Sequence, residues 1–81
     1  MENYFENAVI NIKDMEDFCF KNNINFQTFN KHNYWVFRKG ETAEIEWFPK
    51  YQKILVQNDF ENVISAYTIT QVKNVLRFFF L

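Results

Sequence analysis

The sequence predicts an α+β domain: a helix, then a three- or four-stranded antiparallel meander, then a C-terminal helix, arranged as a two-layer sandwich. Three observations carry this. Apolar residues recur at helical spacing near both ends of the chain, the middle alternates with a period of two, and the lone glycine and lone proline fall where that alternation must turn or stop.

The first helix is expected over about residues 12–22. Asn11 followed by Asp14 reads as an N-cap with an acidic first turn, and Ile12, Met15, Phe18 and Cys19 form its apolar stripe until Asn22 and Asn23 break it. Residues 4–10 fit two readings, since Phe5, Ala8, Val9 and Ile12 extend the helix while Val9 and Ile10 equally start a strand. From Ile24 the period shortens toward two around Phe26, and Tyr34, Trp35, Val36 and Phe37 are four consecutive strand-favouring residues. Lys39-Gly40 supplies the residue tolerant of positive φ that a tight hairpin needs, and Ala43 to Phe48 returns as the partner strand. Pro49 has no amide hydrogen to give a ladder, so it ends that strand, and Gln52 to Gln57 forms the next, closed by Asn58-Asp59. Residues 60–67 read as a connection or a short edge strand. Thr68-Ile69-Thr70-Gln71 then matches a capping box, from which Ile69, Val72, Val75, Leu76, Phe79 and Phe80 define the buried stripe of a final helix.

At 81 residues the chain suits a single domain spanning 1–81, and its 48% apolar and 23% charged composition is that of a folding sequence rather than a disordered one. Aromatic residues reach 21%, so rings supply much of the core; oligomerisation, such as a homodimer, or a partner would add to the stability of so short a chain. The dominance of Phe, Tyr, Met, Ile, Asn and Lys reflects AT-rich codons. A single thiol, Cys19, excludes an intramolecular disulfide and fits a reducing, cytoplasmic setting. Glu2 and Glu6 stand where a secretory signal carries positive charge, and no apolar run approaches the length that spans a bilayer, so no membrane partner is expected. With a net charge of −1 and interspersed signs, no uniform field draws in phosphate backbones, which disfavours dedicated nucleic-acid binding.

The chemistry-bearing residues are few. His32 is the only histidine and lies in an Asn-rich turn, so a zinc site on His32 and Cys19 would need its remaining ligands from carboxylates or a second chain, no His-activated nucleophile is paired, and no metal or cofactor is expected. Cys19 reads as a small core hydrophobe, and one glycine makes no phosphate loop. Glu44 and Glu46 share a strand face; paired carboxylates can serve hydrolysis, yet their alternation with Ile45 and Trp47 reads as a solvated face, with Arg38, Lys39 and Lys53 near enough to pair. No catalytic residue is therefore assigned.

A two-residue turn at Lys39-Gly40 would oppose Arg38 to Glu41 and place Tyr34, Val36, Ala43, Ile45 and Trp47 on the core face. Trp35, Phe37 and Phe48 would then project from the other face beside Glu44 and Glu46, and a slip of one residue in the turn would exchange part of that assignment. Residues 1–10 are the alternative cover for that face. The expected interface is Trp35, Phe37, Glu44, Glu46, Phe48 and Tyr51, whose rings framed by mixed charge suit a protein partner. Phe78 and Leu81, off the stripe of the last helix, make a second candidate interface. Lys31, Arg38, Lys39, Lys50 and Lys53 cluster around the hairpin ends and are the candidate nucleic-acid contacts.

The order helix, three strands, helix resembles the double-stranded RNA-binding fold. That family opens its final helix with a lysine cluster, and Thr70 to Asn74 hold only Lys73. In size, AT-rich composition, near-neutral charge, aromatic surface and lack of a catalytic motif, the chain also resembles small phage or mobile-element proteins that block bacterial defence, including anti-CRISPR proteins. This resemblance implies a noncatalytic, stoichiometric inhibitor that occupies the surface or guide-RNA channel of an RNA-guided nuclease. The alternative is a small RNA- or DNA-binding module.

Overall fold

The computed structural model describes residues 12–40, 43–56 and 59–81, without the side chains of 43 and 59–62. The expected helix or strand at 4–10, the covering role of 1–10, and the placements of Asn11, Glu41, Gln57 and Asn58 lie outside the described residues.

Helix α1 (Ile12–Lys21) ends as its sequence dictates. Asn23 adopts φ 59°, and the amides of Ile24 and Asn23 return to the carbonyls of Cys19 and Phe20 at 2.8 and 3.3 Å, a Schellman closure that turns Ile24 into the core beside Cys19. Five antiparallel strands follow in simple meander order, β1 (Asn25–Phe29), β2 (Tyr34–Lys39), β3 (Ala43–Phe48), β4 (Lys53–Val56) and β5 (Asp59–Ser65). The stretch expected as a connection or short edge is thus a full edge strand. Pro49 stops β3 and opens a 3₁₀ turn, Pro49–Tyr51, which closes on Gln52 at φ 58°. Helix α2 (Ile69–Phe80) starts on the expected box, with the Gln71 amide donating to Thr68 Oγ1 and the Thr68 amide donating to Gln71 Oε1, each at 3.2 Å.

Both helices pack on one sheet face. Met15 and Cys19 of α1 and Val72 and Leu76 of α2 join Trp35, Phe37, Ile45, Trp47, Ile54 and Val56 in one buried cluster. Trp35 and Trp47 meet edge to face at 4.9 Å, and Phe26 stacks on Phe37 at 5.0 Å. The indole nitrogens are satisfied: Trp35 Nε1 donates to the His32 carbonyl at 2.8 Å and Trp47 Nε1 to the Ala66 carbonyl at 3.2 Å. Asp14 binds Lys73 at 2.6 Å, and Phe18 lies under both Lys73 and Arg77, which ties the two helices side by side.

The β2–β3 register corrects the expected face assignment. Lys39 pairs with Ala43 and Trp35 with Trp47, so three residues, Gly40 to Thr42, separate the paired ends rather than two. Relative to β3, the partner of each β2 residue moves by an odd number of positions, which turns β2 over. Trp35 and Phe37 therefore lie in the core at 0% exposure, and Tyr34 and Val36 occupy the opposite face. Arg38 opposes Glu44 instead of Glu41. Gly40 has φ 65°, as the hairpin requires.

Candidate functional site

The face turned away from the helices is built by β2 and β3. Cross-strand pairing sets Val36 against Glu46 and Arg38 against Glu44, and brings the rings of Tyr34 and Phe48 into a stack at 5.0 Å and 13°. Phe29 leans on Tyr34 from the edge strand at 5.7 Å. A polar chain crosses the same face: Arg38 Nε donates to Glu44 Oε1 at 3.1 Å, and the Tyr34 hydroxyl donates to Glu46 Oε2 at 2.9 Å.

The two carboxyl groups between these ends hydrogen-bond each other and titrate as a pair. The bond from Glu46 and the Arg38 guanidinium hold Glu44 below the usual carboxylate range, whereas desolvation, followed by the Glu44 contact, pushes Glu46 up. Burial, reinforced by the bond to Glu46, raises the Tyr34 phenol to about 12. The solvated-face expectation holds for Arg38 and the rim, but Glu46 itself is buried, as is Val36 beside it.

Solvent reaches this face at the end formed by the β1–β2 and β3–β4 connections. Tyr51 is 69% exposed there and Phe29 47%. A cavity of about 330 Å³ opens between the two connections, lined by Asn30, Asn33, Tyr34, Phe48, Lys50 and Tyr51. Its walls are held by strained backbone. Asn30, Lys31 and His32 are three consecutive residues at φ 55°, 55° and 68°, and Gln52 on the other side is at 58°. Such a run costs about 1–2 kcal/mol per residue, less for Asn, and is offset by the bonds that fix it. Thr28 Oγ1 and His32 Nδ1 lie 2.9 Å apart, Trp35 binds the His32 carbonyl, and the Ala66 amide donates to the Gln52 carbonyl at 3.0 Å. His32 is therefore a half-buried strut of the turn rather than a solvated histidine.

Of the expected interface, Glu44, Glu46 and Phe48 share this face, with Phe48 and Tyr51 at the cavity end and Glu44 toward the other, while Trp35 and Phe37 are removed to the core. Tyr34, Phe29, Asn30 and Asn33 join the site unforeseen; the Asn-rich turn was the visible signal for the last two. The expected basic cluster divides. Lys31, Lys50 and Lys53 are exposed at the cavity end without a carboxylate partner among the described residues. Arg38 and Lys39 lie at the far end of β2, one bound to Glu44 and the other donating to the Asn22 carbonyl at 2.6 Å. Phe78 and Leu81 are 80% and 58% exposed at the end of α2, and Phe20, off the stripe of α1, is 85% exposed.

Cys19 lies in the core with its thiol pushed up to about 12 by burial. Among the described residues no three His, Cys, Asp or Glu side chains gather to hold a metal, and no helix is long and apolar enough to cross a membrane. Comparison with known proteins finds no matching family model, no similar curated protein and no similar solved structure.

Proposed function

We propose that the chain acts without turnover, as a binding protein that holds a protein partner against the end of the sheet formed by Tyr34, Phe48 and Tyr51, with Glu44 and Arg38 fixing orientation. The observation that supports this most is the stacked Tyr34–Phe48 pair beside an exposed Tyr51, on the same sheet face as Glu44, a carboxyl held below its ordinary range by its neighbours. Rings that are preorganised and half-exposed contribute contact area at small entropic cost, and charged groups at the rim select register. The narrower form of the proposal is stoichiometric inhibition of an RNA-guided nuclease of bacterial defence, which follows from the resemblance in size and composition.

Purified protein titrated into cleavage reactions of a panel of such nucleases tests it. Inhibition should saturate at equimolar ratio with one enzyme and weaken by about tenfold or more with Phe48→Ala, the scale of a ring anchor at an interface. Retention of full inhibition by Phe48→Ala and Glu44→Gln together, with the fold intact by circular dichroism, would remove this surface. Unchanged cleavage across the panel would remove the nuclease.

A further inference from the structure

The cavity at the end of the sheet has a composition that protein binding alone does not require. Its lining combines three ring-bearing residues, Tyr34, Phe48 and Tyr51, with two asparagines, Asn30 and Asn33, and one cation, Lys50. Lys31 at the tip of the neighbouring turn and Lys53, paired with Phe48 across the strands, add positive charge on the same side. Among the described residues, none of these three lysines meets a carboxylate. Glu44 is met by Arg38 toward the opposite end of the strands, so its charge is compensated away from the lysines at the mouth.

We infer that this cavity is a binding site for one nucleotide unit, a nucleobase with its phosphate. A planar ring can stack on the aromatic walls, which accept any base through its π face. The amides of Asn30 and Asn33 each offer a donor and an acceptor, the pattern that reads the in-plane edge of a base. Lys50 takes the phosphate as a point charge, with Lys31 and Lys53 extending the path of a backbone. The volume lies at the low end of small-molecule sites, about 300–1,000 Å³, which fits one base and a phosphate and leaves no room for a dinucleotide. The strained Asn30–His32 turn fits the same role, since it folds the β1–β2 connection so that Asn30 and Asn33 both line the cavity. A phosphotyrosine side chain shares ring and anion but has no edge for two amides to read, so the nucleotide is favoured.

The site shares Tyr34, Phe48 and Tyr51 with the proposed protein-binding face but does not rest on that reading, because it is tested with purified protein and ligand alone. Amide resonances of the ¹⁵N-labelled full chain are followed during titration with adenosine 5′-monophosphate, adenosine, inorganic phosphate, a single-stranded oligonucleotide and a phosphotyrosine peptide. The monophosphate should shift the side-chain amides of Asn30 and Asn33 and the backbone of Lys50 and Tyr51, at lower concentration than adenosine. Lys50→Ala should abolish that difference, and Tyr51→Ala should weaken both by about tenfold, within the range for loss of one stacking ring. Both residues are exposed, so neither variant threatens the fold. Tighter binding of the oligonucleotide than of the monophosphate, falling steeply with salt, would identify a strand as the source; comparable binding would identify the free nucleotide. Absence of shifts at Asn30 and Asn33 with every nucleotide at millimolar concentration would overturn the inference. So would stronger binding of the phosphotyrosine peptide.

Discussion

Replacing Trp35 by alanine separates the two faces of the sheet decisively. The indole is at 0% exposure, touches Trp47 at 4.9 Å and Phe26 at 5.2 Å, and satisfies the His32 carbonyl at 2.8 Å. Truncating a buried tryptophan costs about 3–5 kcal/mol in transfer and cavity terms. The unmet carbonyl and the lost edge-to-face pair raise that toward the upper end. A domain of this size has about 5–15 kcal/mol in all, and each kcal/mol shifts Tm by about 4–8 °C. Trp35→Ala should therefore lower Tm by at least about 12 °C, or leave too little folded protein to measure. Trp35→Phe keeps a ring and folds in either case; it loses the hydrogen bond and some volume, for about 1–2 kcal/mol. Tyr51→Ala, at 69% exposure, should stay within about 0.5 kcal/mol of the parent. Circular dichroism melts and urea midpoints on the three variants decide the matter. A Trp35→Ala protein that melts with the parent would show that β2 presents its other face to the helices.

Three more outcomes follow from the same geometry. Glu46 has a raised value in the fold, so its contribution is full below the ordinary carboxylate range and fades as pH rises through the raised value. Glu46→Gln should thus gain Tm relative to the parent as pH rises above the ordinary carboxylate range, and a flat difference there would contradict the upward shift of Glu46. Thr68→Ala removes the side-chain acceptor of the capping box and should cost about 1 kcal/mol, with Gln71→Ala adding less than its single effect because the two bonds act together; strictly additive losses in urea melts would argue against the box. Cys19, buried and with its thiol raised to about 12, should react with an aromatic disulfide reagent only at the rate of global opening, so a rate independent of added urea would contradict its burial.

What the sequence displayed well was local. The helix ends were written in Asn22-Asn23 and in the Thr68–Gln71 box, each a side-chain or backbone device contained within a few residues. Strand order was equally plain, because every connection is short. The face of β2 was less accessible. Tyr34, Trp35, Val36 and Phe37 are all apolar or aromatic, so their alternation carries no sign of which pair points inward, and the decision passes to the length of the Gly40–Thr42 connection. Two residues or three differ by nothing that composition reveals. The same loss of sign hid the role of Tyr34, whose ring joins Phe48 only once the strand is turned over. The cavity was out of reach for another reason: its lining comes from two connections that are distant in the chain and adjacent in space. Edge strand β5 was obscured by its polar residues, which an edge tolerates and a central strand would not.

The nearest-neighbour order of the strands has a kinetic consequence. Each hairpin closes over a short loop, so the ladder can grow outward from any one of them with little entropy of closure, and low contact order favours rapid folding. The helices cannot share that route. Asp14 and Lys73 are separated by 59 positions, so docking of α1 beside α2 is a long-range event and must wait for the sheet to present its ring-lined side. Assembly thus resembles a zipper followed by a clasp, and residues at the clasp, Phe18 and Lys73 among them, should govern how fast the molecule opens rather than how fast it forms.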